Sequence, residues 1–483
     1  TCGYVFDTNG DISIGSSSTV AVGVYSGYIS RNAPKIFGSQ TVVASKNFDG
    51  HNPETKYNSD PGMYRGYKYL TVMPQGSALV SDTATLQAAA QDPNCKTINV
   101  VAFNDYKKDL WSVALTAPAV FNHDVEVIMY GFKDFTRADN YRGELLVIGN
   151  GTDSPKVTFN SVHLYGSQKI GSNSALIVKS GTLTFENTSV VQRFDSDYSY
   201  NGTGVRVEEN GNLILRGKDV EFIFNYKGNK GGAIYNAGSL TIENASIHYN
   251  GANEGGGIYN VGKITFGSGN IDVYDNWNSE NKRNNIKLGN SNLIKAPNTF
   301  SSKHNVGITP FKPASLTYAS PIAETSSNYY TDKFVSDVLG AKPIFNENSK
   351  QIRLTVTHAH CICGATHNDI GDHTTEETNY YEEWTKNDSL PQEAGYYYLT
   401  KNVYLPEPNT SAFNGDTRKL ADGVVICLNS FNIYAKHSRE VLYQSGGKSA
   451  LTNCKPSFGG VVSHDPSIDK TNSNCGINVS YHG

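Results

Sequence analysis

Residues 231–250, GGAIYNAGSLTIENASIHYN, are followed by a near copy at 255–276, GGGIYNVGKITFGSGNIDVYDN. Both keep glycines and a short alternating apolar segment in the same places. Aligning them with earlier stretches gives Gly181-Thr-Leu183-Thr-Phe185, Gly211-Asn-Leu213-Ile-Leu215, Gly238-Ser-Leu240-Thr-Ile242 and Gly262-Lys-Ile264-Thr-Phe266. The leading glycines are 30, 27 and 24 residues apart. Apolar residues alternate with period two, again at Ile247 and Tyr249, so each segment reads as a short half-buried strand and not a helix. A unit of about three strands cannot bury its own apolar face and has to stack on its neighbours.

Stacking such coils about 4.8 Å apart pairs each strand with its equivalent above and below and fills the interior with aligned side chains. Leu183, Leu213, Leu240 and Ile264 are expected in one interior column, and Phe185, Leu215, Ile242 and Phe266 in another. Asn225, Asn250 and Asn276 recur at the end of the third strand. Asparagine tolerates the left-handed turn conformation, and its amide can bond to the same amide one coil away. The fold class that follows is all-β, a parallel β-helix with a capping helix, a small metal-stapled or loop-rich segment, and the start of a second β-helix.

Composition agrees with strands and turns. Met and Trp number three each against 46 Gly and 30 Tyr. Lys and Arg total 41 against 45 acids, giving a net charge of -4, so no electrostatic footprint for nucleic acid exists. No apolar run is long enough for a membrane span. Thr1 is not an initiator, which implies that any signal peptide has been removed. Seven cysteines are too few and too scattered for a disulfide scaffold.

The pattern from 172 to 288 resembles the repeat of right-handed parallel β-helix proteins of bacterial surfaces, adhesin-like and polymorphic outer-membrane-type repeat proteins among them. That resemblance implies a secreted or cell-surface protein and names no ligand. Residues 81–93, SDTATLQAAAQDP, carry Ser81 or Asp82 as N-cap, good helix formers and a proline stop, and are expected to cap the solenoid's lower end. The expected organisation is end coils at 1–32, an irregular connector at 33–80, the main β-helix with its cap at 81–297, a linker or cover at 298–349, a His/Cys-rich segment at 350–390, and a second β-helix beginning at 391–483.

GYVFDTNGDISI at 3–14 superimposes on GVRVEENGNLIL at 204–215, and CGINVSYHG closes the chain inside another coil. The chain is thus expected to be either a piece of a longer tandem array or a subunit that continues head-to-tail into copies of itself.

THAHCICGATHNDIGDH at 357–373 packs His358, His360, Cys361, Cys363, His367 and His373 into 16 positions. Imidazole and thiolate suit tetrahedral zinc, with Cys361, Cys363, His373 and one of His360 or His367 as the expected ligands; a loop with free thiols or a disulfide is the alternative. Such a site would be structural, because a small segment without a core needs a staple. The segment is also similar to the inter-repeat linker of large Gram-positive surface proteins. There a His-Cys-x-Cys-Gly element precedes sequences matched here by Leu390-Pro391, Gly395 to Thr400 and Cys427-Leu428-Asn429. Ser430 stands where glycine is expected.

For function, the sequence favours a non-enzymatic surface or filament component that presents a stiff scaffold, with a host or cell-surface glycan or protein as partner. The alternatives are a polysaccharide lyase or glycoside hydrolase, or a phage tail-spike-like protein. Catalysis would need converging carboxylates with a basic residue. The outward residues Arg206, Arg216, Glu208, Glu221 and Glu243 are the candidates. Trp384 and the tyrosines of NYYEEWTKND and GYYYLT are read as core of a small β segment, with stacking on sugar rings as the other possibility.

Overall fold

A computed structural model describes residues 69–80, 82–101, 112–130, 134–166, 170–296, 300–314, 318–325, 330–338, 340–356, 358–361, 378–406, 419–435, 441–445, 448–453, 460–464 and 477–480, with short strands at 13–14, 20–23, 35–36, 41–45 and 54–55. The chain is a parallel β-solenoid of about 11 turns with one short helix. It divides into two compact units, the first comprising residues 1–311, 321–337 and 345–352 and the second 312–320, 338–344 and 353–483.

In the first unit each coil contributes to three parallel faces. One runs through Thr97–Val101, Val125–Tyr130 and Lys156–Asn160, then the later part of Leu176–Glu186 and of Val205–Leu215, and on to Ser239–Ile242 and Lys263–Phe266. Leu183, Leu213, Leu240 and Ile264 are register partners in turn, and so are Phe185, Leu215, Ile242 and Phe266. All eight are at most 1% exposed. Burying each such side chain is worth roughly 1.5–3 kcal/mol, so the stacked columns are the main source of cohesion between coils. Phe159 and Phe185 meet edge to face at 5.5 Å, and Phe185 meets Phe222 at 5.7 Å, which locks adjacent coils together in the T-shaped geometry that aromatic quadrupoles favour.

The repeated glycines answer to close stacking. A Cβ on Gly238 would overlap the carbonyl oxygen of Gly211, and one on Gly262 would overlap that of Gly238. Each glycine therefore lets the corner above settle onto the corner below.

Several expected boundaries move. The strand Ser77–Val80 precedes the helix and pairs in parallel with Thr97–Val101, so the ladder begins before the cap instead of after it. Four residues are too few for their periodicity to register. The helix, Thr83–Gln91, lies against the stack, with Leu86, Ala89 and Ala90 buried and Gln87 Nε2 donating to the Pro118 carbonyl at 2.8 Å. Asp82 is its N-cap: the carboxylate accepts from Thr85 N at 2.8 Å, and Thr85 Oγ1 accepts from Asp82 N at 3.2 Å. Asp82→Ala is expected to cost about 1 kcal/mol, measured as a lower thermal midpoint with faster amide exchange confined to the helix.

The segment 298–349, read as linker or cover, carries strands in the same stack. Val306–Thr309 joins Ile271–Tyr274 and Phe334–Ser336, and Ala323 to Thr325 pair with Ile294–Ala296. Their apolar runs are only two or three residues long and are separated by polar insertions, which hides the period. Within 1–80, Ser13–Ile14 pairs in parallel with Lys35–Ile36, but Val20–Gly23, Thr41–Ser45 and Tyr69–Met73 form an antiparallel arrangement, neither an end coil nor an irregular connector. Residues 1–12 lie outside the described residues.

The second unit is again a parallel stack. Gly395–Leu399, Val424–Cys427 and Ala450–Thr452 form one face, and Val403–Leu405, Ile433–Ala435 and Val462–His464 another. Glu382–Trp384 pairs onto the first of these, and Leu390 is buried in the same core as Leu399, Val403, Val424 and Ile433. The stack thus starts before residue 391. Trp384 packs against this core and meets Tyr397 edge to face at 5.7 Å. Ser430, where glycine was expected, adopts φ +71 directly after Asn429 at +48, so the turn keeps its left-handed conformation with a serine in it.

Candidate functional site

Two constellations stand out on the first unit: an internal amide ladder and an external concavity. Asn225, Asn250 and Asn276 are each 0% exposed. Their side chains join head to tail: Asn225 Nδ2 donates to Asn250 Oδ1 at 2.9 Å and Asn250 Nδ2 donates to Asn276 Oδ1 at 2.9 Å. The backbone N–H groups of Asn225 and Asn250 donate to the same two oxygens, both at 3.0 Å. The left-handed residue is not the asparagine but the one before it, Phe224 at φ +57, Tyr249 at +52 and Asp275 at +46. That residue turns the chain, and the asparagine behind it can then point its amide into the corner.

The ladder runs beyond the repeat that reveals it. Asn276 Nδ2 donates to Asn285 Oδ1 at 3.0 Å, and Asn285 donates to Asp337 through both Nδ2, at 2.6 Å, and its backbone N, at 2.7 Å. Thr309 Oγ1 adds a third donor at 2.9 Å. Every side-chain amide donates in one direction, so the aligned dipoles present their positive end to Asp337. Enclosure of the Asp337 carboxyl pushes its pKa up to about 6, against the opposing pull of these donors and of the Arg283 charge. Sequence spacing missed Asn285, nine residues after Asn276 instead of a full coil, and Asp337, which is not an asparagine. It also missed shorter ladders such as Asn236 to Asn260 at 2.6 Å and Asn187 to Asn160 at 2.7 Å.

On the outer surface, a concavity of about 450 Å³ is lined by Lys179, Arg206, Glu208, Glu209, Asn210 and Tyr235, among others. Arg206, Tyr235 and Tyr259 are register partners on successive coils. The two tyrosine rings stack at 5.9 Å with 7° between planes, and Lys230 Nζ sits 4.6 Å above the Tyr259 ring and 3.1 Å from its hydroxyl. Tyr259 is thereby buried and held, while Tyr235 remains half-exposed. Arg206 Nη2 meets Glu208 Oε1 at 2.8 Å.

The other candidates for catalysis do not join this pair. Arg216 is paired with Glu186 at 2.6 Å, Glu221 meets His248 Nε2 at 2.8 Å on a different face, and Glu243 lies at the corner after Ser239–Ile242. Of the five, the structure brings together only Arg206 and Glu208.

Of the expected zinc ligands, His360 and Cys361 lie on the strand Ala359–Cys361, paired antiparallel with Thr378–Tyr380, and their side chains lie outside the described residues. Cys363, His367 and His373 lie outside the described residues altogether. His358 is described: it is nearly buried and stacks on Tyr398 at 4.6 Å. Among the described residues no group of three or more His, Cys, Asp or Glu side chains is placed to hold a metal ion, and no helix is long and apolar enough to cross a membrane.

No protein-family model matches this chain, and neither does any curated protein or solved structure.

Proposed function

We propose that this protein is a non-enzymatic structural component of a bacterial surface, adhesin-like in character, whose solenoid is a stiff scaffold presenting its outer faces to partners. The observation that supports this reading is the unbroken in-register stacking of apolar columns from Thr97–Val101 to Lys263–Phe266, which makes the coils one rigid element. Of the five outward charged residues that the sequence offers, Arg206 and Glu208 pair with each other, while Arg216 and Glu221 pair elsewhere, with Glu186 and His248. Incubating the chain with pectin-like and mucin-like glycans is expected to leave their chain length unchanged. New reducing or unsaturated ends that vanish in Glu208→Gln would replace this reading with a lyase or hydrolase.

The His/Cys-rich segment is proposed to hold one structural zinc through Cys361, Cys363, His373 and one of His360 or His367, because four such ligands close a tetrahedral site. Elemental analysis is expected to find about one zinc per chain, lost in Cys361→Ser/Cys363→Ser. A metal-free wild-type chain with the same melting profile would remove the zinc from the account.

A further inference from the structure

The outer concavity gathers polar side chains that few protein partners occupy. Among the described residues, the side chains of Lys179, Glu209 and Asn210 make no hydrogen bond or ion pair, and Arg206 uses only Nη2, toward Glu208. Donors (Lys179, Arg206), acceptors (Glu208, Glu209) and an amide that is both (Asn210) therefore face one open volume, beside the half-exposed ring of Tyr235. The volume falls within the range of small-ligand sites. The Tyr235 ring is backed by Tyr259, whose hydroxyl in turn accepts from Lys230.

Chemistry selects the ligand. Two cations and two anions sum to zero, which gives no net attraction for a polyanion such as a polyuronate or a nucleic acid. A peptide strand has no edge to join here, since Val205 to Val207 are already paired with 176–178 on one side and 234–236 on the other. A pyranose ring meets all the demands at once. Its hydroxyls both donate and accept, and its C–H face is attracted to the negative face of an aromatic ring.

We infer that this concavity binds a neutral oligosaccharide, one sugar ring resting on Tyr235 and its hydroxyls taken by Arg206, Glu208, Glu209, Asn210 and Lys179. The inference rests on the scaffold reading and deepens it, giving the stiff element a ligand class. Repetition of coils places the platform at a fixed point on a rigid face, so the site needs no closure of its own.

The test titrates the full chain calorimetrically with hexamers of β-1,4-linked glucose, mannose and N-acetylglucosamine, with a hexauronate as the charged arm, and assays reducing ends in the same samples. At least one neutral hexamer is expected to bind, and Tyr235→Ala to weaken it about tenfold or more. Asn210→Ala, at an exposed side chain without a protein partner, is expected to weaken binding several-fold while melting like the parent, which keeps the test sound if Tyr235→Ala folds poorly. No heat with any neutral hexamer, affinity unchanged in both variants, or binding of the hexauronate alone would overturn the inference while leaving the scaffold reading intact. Binding accompanied by new reducing ends would uphold the site and overturn the scaffold reading.

Discussion

Asn250→Ala is expected to lower the stability of the first unit by about 3–5 kcal/mol, a third or more of what an ordinary domain possesses. The Asn250 amide accepts from the backbone N and the Nδ2 of Asn225 and donates to the carbonyls of Phe222 and His248 and to Asn276. Truncation strands these groups at a site closed to water, where each unmade bond costs about 1–3 kcal/mol. Asn250→Asp sharpens the test, since it changes one atom and no volume. It turns the donating nitrogen into an oxygen facing three acceptor oxygens, so it is expected to be at least as damaging as alanine at neutral pH. Amide exchange is the proper readout, because coils of a repeat protein open locally. Protection is expected to fall first in the coils ending at Asn225, Asn250 and Asn276. Equal melting of Asn250→Asp and the parent would show that the ladder contributes nothing.

Asp337→Ala is expected to cost about 2–4 kcal/mol by leaving Asn285 N, Asn285 Nδ2 and Thr309 Oγ1 without their acceptor. Asp337→Asn keeps an acceptor for the ladder and is expected to be far milder. The two variants also separate on pH. Burial raises the Asp337 pKa from the ordinary 3.8 to about 6, so between those values the folded chain holds a proton that the unfolded chain does not. Its contribution is complete below about pH 4 and is lost as pH rises through about 6. The swing is at most about 3 kcal/mol, and smaller to the degree that the partly open side of the residue admits screening water. Thermal midpoints taken from pH 4 to 7 should flatten in Asp337→Asn relative to the parent. Parallel curves for the two would remove the titration.

The interior was readable where the period-two alternation recurs with little change. Leu213 and Leu240 are register partners because both stand two residues after a corner glycine, and that spacing is visible in the letters. The ladder was legible at Asn225, Asn250 and Asn276 for the same reason. It was illegible at Asn285 and Asp337, which reach the same corner through a short excursion and a long one, so no constant spacing marks them. The strands at 306–309 and 334–336 escaped notice because three or four residues suffice to continue a sheet whose register is already set by the coil below. The concavity could not be foreseen as a site: Arg206 and Glu208 are near in sequence, but Lys179 and Tyr235 join them only through stacking of separate coils.

Hydrogen bonds between coils of the first unit run from one coil to the next on all three faces, parallel to the direction in which the coils accumulate. Tension along that direction is shared by every bond of a layer simultaneously, whereas a pull on a single strand from the side peels them away singly. The solenoid should therefore bear a load applied through its ends far better than one that tugs at a corner loop, as a cable does compared with a strip of tape.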